Sequence, residues 1–143
     1  MNVYFACSIT GGRQDEAIYQ KLVDTLHEAG HEVPTALLAG AEVVQLEGIV
    51  QADDIYARDT AWIRGCDLLL AEVSTPSHGV GYEIGYALSL DKPVLCLHHA
   101  NARVSKMILG NPHPRLRVRS YLASHEAVQI LLDNLFEVPW GAL

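Results

Sequence analysis

Apolar residues along this chain follow two alternating rhythms. Val3-Tyr4-Phe5-Ala6, Leu68 to Val73 and Val94 to Leu97 are short continuous apolar runs, the pattern of strands buried on both faces. Between them the spacing becomes helical. Ile18, Leu22, Leu26 and Ala29 share one face of a predicted helix, and Gly30 stands where a left-handed C-terminal cap falls. Residues 52–64 read as a second helix, and a further helical pattern runs from Ile84 to Leu90. Residues 101–109 suggest a short helix. Ser124 suits the N-cap of a last one, with Ala127, Ile130, Leu131 and Leu135 on one face. His31-Glu32-Val33 predicts a brief strand stopped by Pro34, and Leu116-Arg117-Val118 an edge strand of alternating polarity. Residues 35–50 have no readable period and stand as a lid or an unpatterned connection. Strands alternating with helices predict an α/β protein: a doubly wound parallel sheet of about five strands in three α/β/α layers, one domain over residues 1–143.

Half of the 143 residues are apolar and 19% are charged, a balance that favours a folded core over disorder. The formal net charge is −7. No basic face is visible, so nucleic acid is not an expected partner. A small anionic ligand stays compatible, because a few backbone N–H groups hold a phosphate whatever the net charge. Cys7, Cys66 and Cys96 are odd in number and scattered, which fits a reduced, cytoplasmic protein. No CxxC pair or His/Cys spacing suggests zinc, and no segment reads as a signal peptide or a membrane span. The expectation is therefore a chain without metal, cofactor or membrane partner.

Three groups of residues could carry chemistry. Ser77, Gly79, Gly81 and Glu83 follow the apolar run ending at Val73 and precede a helix. In an open parallel sheet, ligands bind outside the carboxyl ends of the strands. The two glycines let the backbone approach a ligand, and Glu83, placed in the first helical turn, would be kept ionised by the helix dipole. The plainer alternative is that Glu83 only complements the dipole and the glycines pack the helix on the sheet. Tyr4, Ser8, Ile9, Thr10, Gly11, Gly12 and Arg13 form a second strand-exit loop at the same sheet edge, although their glycine spacing is not that of a P-loop or dinucleotide fingerprint. The alternative there is an ordinary Gly-Gly turn. Asp59 interrupts the apolar stripe Ile55, Trp62, Ile63 on one helix face. Turned inward, its carboxylate would lose solvation and gain a pKa suited to a general acid; otherwise a neighbouring Arg holds it. Asp53 and Asp54 read as helix-capping residues. The seven histidines form no convincing set.

At these residues the chain resembles the 2′-deoxynucleoside 5′-phosphate N-hydrolases, within the nucleoside 2-deoxyribosyltransferase superfamily. The likeness is carried by Val3 through Arg13, by Asp59 with Trp62, by Ala71-Glu72-Val73 through Gly79-Val80-Gly81-Tyr82-Glu83-Ile84-Gly85, by Lys92 to Leu97 and by Arg103 to Ile108. It implies a flavodoxin-like fold that cleaves the N-glycosidic bond of a deoxynucleoside monophosphate, without metal or cofactor. It also implies roles. Glu83 would be the nucleophile at C1′, Asp59 the group that protonates or orients the leaving base, and Tyr4 their neighbour on the sugar's 2′ side. Ser8, Ile9, Thr10, Gly11, Ser77 and Gly79, with Gly81 beside them, would cradle sugar and 5′-phosphate. Ser105 would be a phosphate contact donated across a homodimer. Two positions depart from the pattern: Cys7 stands where glycine is expected, and Thr10 where arginine is expected. Arg13 is the candidate to compensate for the lost charge. Three other functions stay open: a deoxyribosyltransferase that passes the sugar to a second base, an N-glycosidase of ribonucleotides such as CMP, and a non-catalytic nucleotide sensor.

Overall fold

The computed structural model describes residues 1–9 and 15–136. Four strands, β1 (Val3–Ala6), β2 (Leu68–Glu72), β3 (Val94–His99) and β4 (Leu116–Tyr121), form one parallel sheet in the order β1-β2-β3-β4. Register follows from Val3 opposite Leu68, Leu69 opposite Val94 and Val94 opposite Leu116. Six α-helices surround it: α1 (Glu16–Glu28), α2 (Val43–Ile49), α3 (Ala52–Gly65), α4 (His78–Ser89), α5 (Lys106–Leu109) and α6 (Ser124–Phe136); a 3-10 turn spans Ala36–Ala39.

The fifth strand expected at His31–Val33 shrinks to a single parallel bridge between Asn2 and Glu32. Pro34 explains this, since it has no N–H to extend a ladder and its ring fixes the backbone. The bridge lies on the side of β1 away from β2. The chain therefore adds to one side of β1 and then to the other, which makes the gap beyond β1 and β2 the switch point.

Period-two alternation splits the strands between two layers. Val3, Phe5, Leu68, Leu70, Leu95 and Leu97 pack with Ile18, Leu22 and Leu26 of α1 and with Ala127 and Leu131 of α6. Tyr4, Ala6, Leu69, Ala71, Val94 and Cys96 pack with Ile63 of α3 and with Val80, Ile84, Ala87 and Leu88 of α4. Gly30 has φ of +80° and ends α1 as expected. Three helix ends differ from the reading of the sequence. Gln51, not an aspartate, is the N-cap of α3, and Asp53 and Asp54 lie in its first turn. Ser124 is the first residue of α6 rather than its cap; Glu126 Oε2 instead accepts from the N–H of Leu122 at 2.8 Å. The short helix expected over 101–109 is confined to α5, which starts after Ser105.

Beyond β2 the loop is tied down by a buried polar network. Glu72 is fully buried; its Oε1 accepts from Ser74 Oγ at 2.5 Å and from Tyr121 Oη at 2.9 Å, and its Oε2 accepts from the Ser74 N–H at 3.2 Å. Ser74 Oγ also accepts from the His99 N–H at 2.7 Å. The ends of β2, β3 and β4 are thus joined just before Ser77 begins α4. Tyr121→Phe keeps the ring and deprives the buried carboxylate of one donor. The expected loss is about 1–3 kcal/mol in urea unfolding. An unchanged midpoint would show that Ser74 alone satisfies Glu72.

Candidate active site

Helix α4 begins earlier than the glycines suggested. Ser77 has an extended backbone, and its Oγ accepts from the Val80 N–H at 3.4 Å, so Gly79 and Gly81 fall inside the helix. The cap and the burial of Val80, Ile84, Ala87 and Leu88 offset the cost of two helical glycines. Glu83 consequently sits in the second turn, not the first, and the dipole argument for its ionised form loses most of its force.

Burial takes over instead. Tyr4 is on β1 and 1% exposed, and its Oη donates to Glu83 Oε1 at 2.8 Å. Burial pushes the Glu83 carboxyl up to about 7; the charges of Asp59 and Glu47 add to this, and the Tyr4 bond and Arg58 oppose it. Burial and the charges of Glu83 and Asp59 drive the Tyr4 phenol far above its usual value, so Tyr4 remains a donor. Tyr4→Phe removes the bond that favours the charged form. The Glu83 midpoint should rise above about 7, read by carbon NMR titration of the carboxyl group. An unchanged or lower midpoint would show that the bond does not stabilise the carboxylate.

Asp59 does break the apolar face of α3, and both readings of it have a structural counterpart. Its Oδ1 accepts from Arg58 Nε at 2.8 Å, the neighbouring arginine of the plainer alternative. Its side chain is only 15% exposed and lines the same cavity as Glu83. Burial raises the Asp59 pKa against the pull of Arg58.

That cavity holds about 440 Å³, with Cys7, Ile9, Glu47, Asp59, Ser77 and Glu83 on its walls. A shallower space of about 280 Å³ shares Asp59, Gly79 and Glu83 and opens between Tyr56 and Tyr82. A third, of about 410 Å³, shares Ser77 and Val80 with the first and holds His78, Gly81, Arg103 and Ser105. The structure thus gathers Ile9, Asp59, Ser77, Gly79 and Glu83 around one cavity, with Tyr4 bonded to Glu83, and sets Gly81 and Ser105 in its neighbour. A Cβ on Gly79 would meet only Ser77 Oγ, at 3.9 Å, and one on Gly81 nothing within 4 Å, so packing inside the chain does not explain these glycines. Ser105 Oγ accepts from the Met107 N–H at 3.2 Å. Ser8 is fully buried, and its hydroxyl has no hydrogen-bond partner among the described residues. Thr10, Gly11, Gly12 and Arg13 lie outside the described residues.

Two site residues were not singled out from sequence. Glu47 comes from the segment that showed no period, and its Oε1 accepts from Arg58 Nη1 at 2.9 Å. Arg58 itself spans Glu47 and Asp59 and lies over the Trp62 ring at 5.0 Å. Adjacency to Asp59 was the available signal for Arg58. A seven-residue helix with Val43 as its one buried residue offered none for Glu47.

Known proteins agree with this architecture. Residues 3–130 match the family model described as nucleoside 2-deoxyribosyltransferase. A Methanosarcina mazei protein provisionally named 2′-deoxynucleoside 5′-phosphate N-hydrolase 1 is 42% identical over 132 residues, covering 92% of this chain and 82% of the relative. The mouse (Mus musculus) 5-hydroxymethyl-dUMP N-hydrolase is 40% identical over 141 residues, covering 95% of this chain and 80% of the relative. Among solved structures, a Clostridium botulinum CMP N-glycosidase superposes with a TM-score of 0.73 at 24% identity, covering 95% of this chain and all of that one, a likeness of fold. With the parallel sheet, its switch-point cavity and a match over nearly the whole length, this chain belongs to the nucleoside 2-deoxyribosyltransferase family.

Proposed function

We propose that this protein is a nucleotide N-glycosidase that hydrolyses 2′-deoxynucleoside 5′-monophosphates to free base and 2-deoxyribose 5-phosphate. The observation that carries the reading is the desolvated Glu83, bonded to Tyr4 and sharing one cavity with Asp59. Relatives at about 40% identity are named as hydrolases of this bond. Glu83 attacks C1′, the C1′–N bond breaks, and its electron pair leaves with the base. Asp59 supplies a proton to the base or orients it. Water then releases the sugar from the glycosyl-enzyme ester, the second half of a retaining glycosidase cycle. The Tyr4 hydroxyl beside Glu83 supports a deoxy sugar, since a 2′-hydroxyl would compete for the same space. The buried Ser8 hydroxyl, together with Ile9, Ser77 and Gly79, supports a cradle for sugar and 5′-phosphate, which Thr10 and Gly11 would complete.

The reading includes a homodimer with Ser105 reaching the site of the second protomer. Exposed apolar side chains support a covered face: Ile49 is 80% exposed, Met107 84%, and Tyr56 and Tyr82 meet edge to face at 6.3 Å. Light scattering tests it, and a monomer at all concentrations would overturn it. Three buried cysteines outside any disulfide support a cytoplasmic setting. No helix among the described residues is long and apolar enough to cross a membrane.

The functional test is base release, followed by liquid chromatography, from deoxynucleotides, ribonucleotides and unphosphorylated nucleosides, with and without an acceptor base. Release confined to deoxynucleoside monophosphates is expected. Exchange into the acceptor base would indicate a transferase, cleavage of CMP a ribonucleotide N-glycosidase, and binding without turnover a sensor.

A further inference from the structure

We propose that Arg58 positions Asp59 for proton donation, fixing which carboxyl oxygen carries the proton and meeting the charge left when a base takes it; the inference rests on the nucleotide N-glycosidase reading above, with Asp59 as the proton source. Arg58 is absent from the cavity wall, so it acts through its neighbours rather than on a bound base. Its guanidinium is held on three sides. Nε donates to Asp59 Oδ1 at 2.8 Å, Nη1 donates to Glu47 Oε1 at 2.9 Å, and Cζ lies 5.0 Å from the centre of the Trp62 ring, one turn further along α3. Glu47 comes from α2, whose one buried residue is Val43. The ion pair therefore ties this short helix, with its cavity-lining Val44, Glu47 and Gly48, to the helix that carries Asp59. A planar fork fixes both bonds at once, which a flexible ammonium does not.

The bond to Oδ1 decides where an acid proton sits. An N–H donor occupies that oxygen and disfavours a proton on it. Oδ2 accepts no hydrogen bond among the described residues. It is therefore the oxygen that carries the proton when Asp59 is neutral. As the C1′–N bond breaks, the electron pair goes to the base. The base takes the proton from Oδ2, and Asp59 becomes a carboxylate. Glu83 of α4, bonded to Tyr4 of β1, gives up its own charge to the ester in the same step. Glu47 of α2 keeps its charge and faces the new carboxylate across the site. No lysine, arginine or histidine lines the cavity among the described residues. Arg58 is the cation that meets the new charge. It is in place before the reaction begins, and a preorganised charge needs no rearrangement in the transition state.

The test compares deoxyguanosine monophosphate with its N7-methyl form, whose charged base leaves without an added proton. Both are measured in one preparation of each variant, so the folded fraction cancels from their ratio. Arg58→Gln should lower kcat on the ordinary nucleotide by about ten- to a hundredfold, with KM within about threefold, and kcat on the methylated one by less than about threefold. Arg58→Lys keeps the charge without the fork. It should recover part of the lost ratio, and it carries the test where Arg58→Gln does not fold. Carbon NMR titration of the Asp59 carboxyl adds a readout without turnover. Arg58 favours the charged form, so the midpoint should rise in Arg58→Gln. Equal losses on the two nucleotides would make Arg58 a brace between α2 and α3 and overturn the inference alone, as would an unchanged Asp59 midpoint. If no deoxynucleotide is hydrolysed by the natural protein, the N-glycosidase reading falls and the inference falls with it, even where the midpoint moves.

Discussion

Glu83→Gln should abolish base release, with a fall in kcat of about a thousandfold or more, because the amide keeps the shape and cannot form the glycosyl ester. The same substitution should make the protein more stable above pH 7. Burial holds the Glu83 carboxyl at about 7 in the folded chain, well above its unfolded value. The folded state therefore binds more protons than the unfolded one across that interval. The stability associated with protonated Glu83 is fully present at the acid end and is lost as pH rises through about 7. Gln carries no such cost. Melting curves at pH 8 should place the variant about 2–3 kcal/mol above the natural protein, and the gap should close near pH 4.5. A gap of the same size at both pH values would mean that packing, not charge, distinguishes the two proteins. The activity of the natural protein should rise as pH passes through about 7, since attack on C1′ needs the ionised form.

Asp59→Asn should have the second largest effect, a loss of about a hundred- to ten-thousandfold in kcat for ordinary deoxynucleotides. The dependence on leaving group separates proton donation from a structural role. A deoxynucleotide whose base already carries a positive charge, such as N7-methylguanine, leaves without an added proton and should lose far less. An equal loss for both substrates would assign Asp59 to holding Arg58 and the cavity wall. The contact with Arg58 makes this comparison pointed: the guanidinium favours the charged carboxylate, burial favours the neutral acid, and burial prevails. Occupation of the cavity by a base removes water from the same carboxylate and would push it further in the same direction.

Glu72 is fully buried and bonded to Tyr121 on the α1 and α6 side of the sheet, whereas Glu83 is part-buried on α4, on the opposite side. Glu72 receives bonds from Ser74 and Tyr121 and ties strand ends together. Glu83 receives one from Tyr4 and borders open cavity. A carboxylate held dry beside a cavity of about 440 Å³ is poised for a ligand; one enclosed by its own hydroxyl donors is part of the frame.

The order of strands and helices was legible in the sequence because each buried strand is an unbroken apolar run and each long helix has one apolar face. Period alone places Leu68–Glu72 and Val94–His99 at the centre of the sheet. It also exposes Asp59 as a polar interruption, and Gly30 as a left-handed stop. The nearness of Tyr4 to Glu83, 79 positions apart, is settled by the parallel pairing of β1 with β2 and by α4 lying over both. The start of α4 depended on Ser77 capping a helix that two glycines argue against, so the depth of Glu83, and with it the cause of its shifted pKa, was hidden from local pattern. Glu47 was hidden for a related reason. Its helix is too short to show a period, and its place is set by one ion pair with Arg58 on another element. Local periodicity thus determined which elements form and which faces they bury. Only the tertiary structure decided which carboxylates share a cavity, because desolvation and charge pairing act between residues that the chain brings together from far apart.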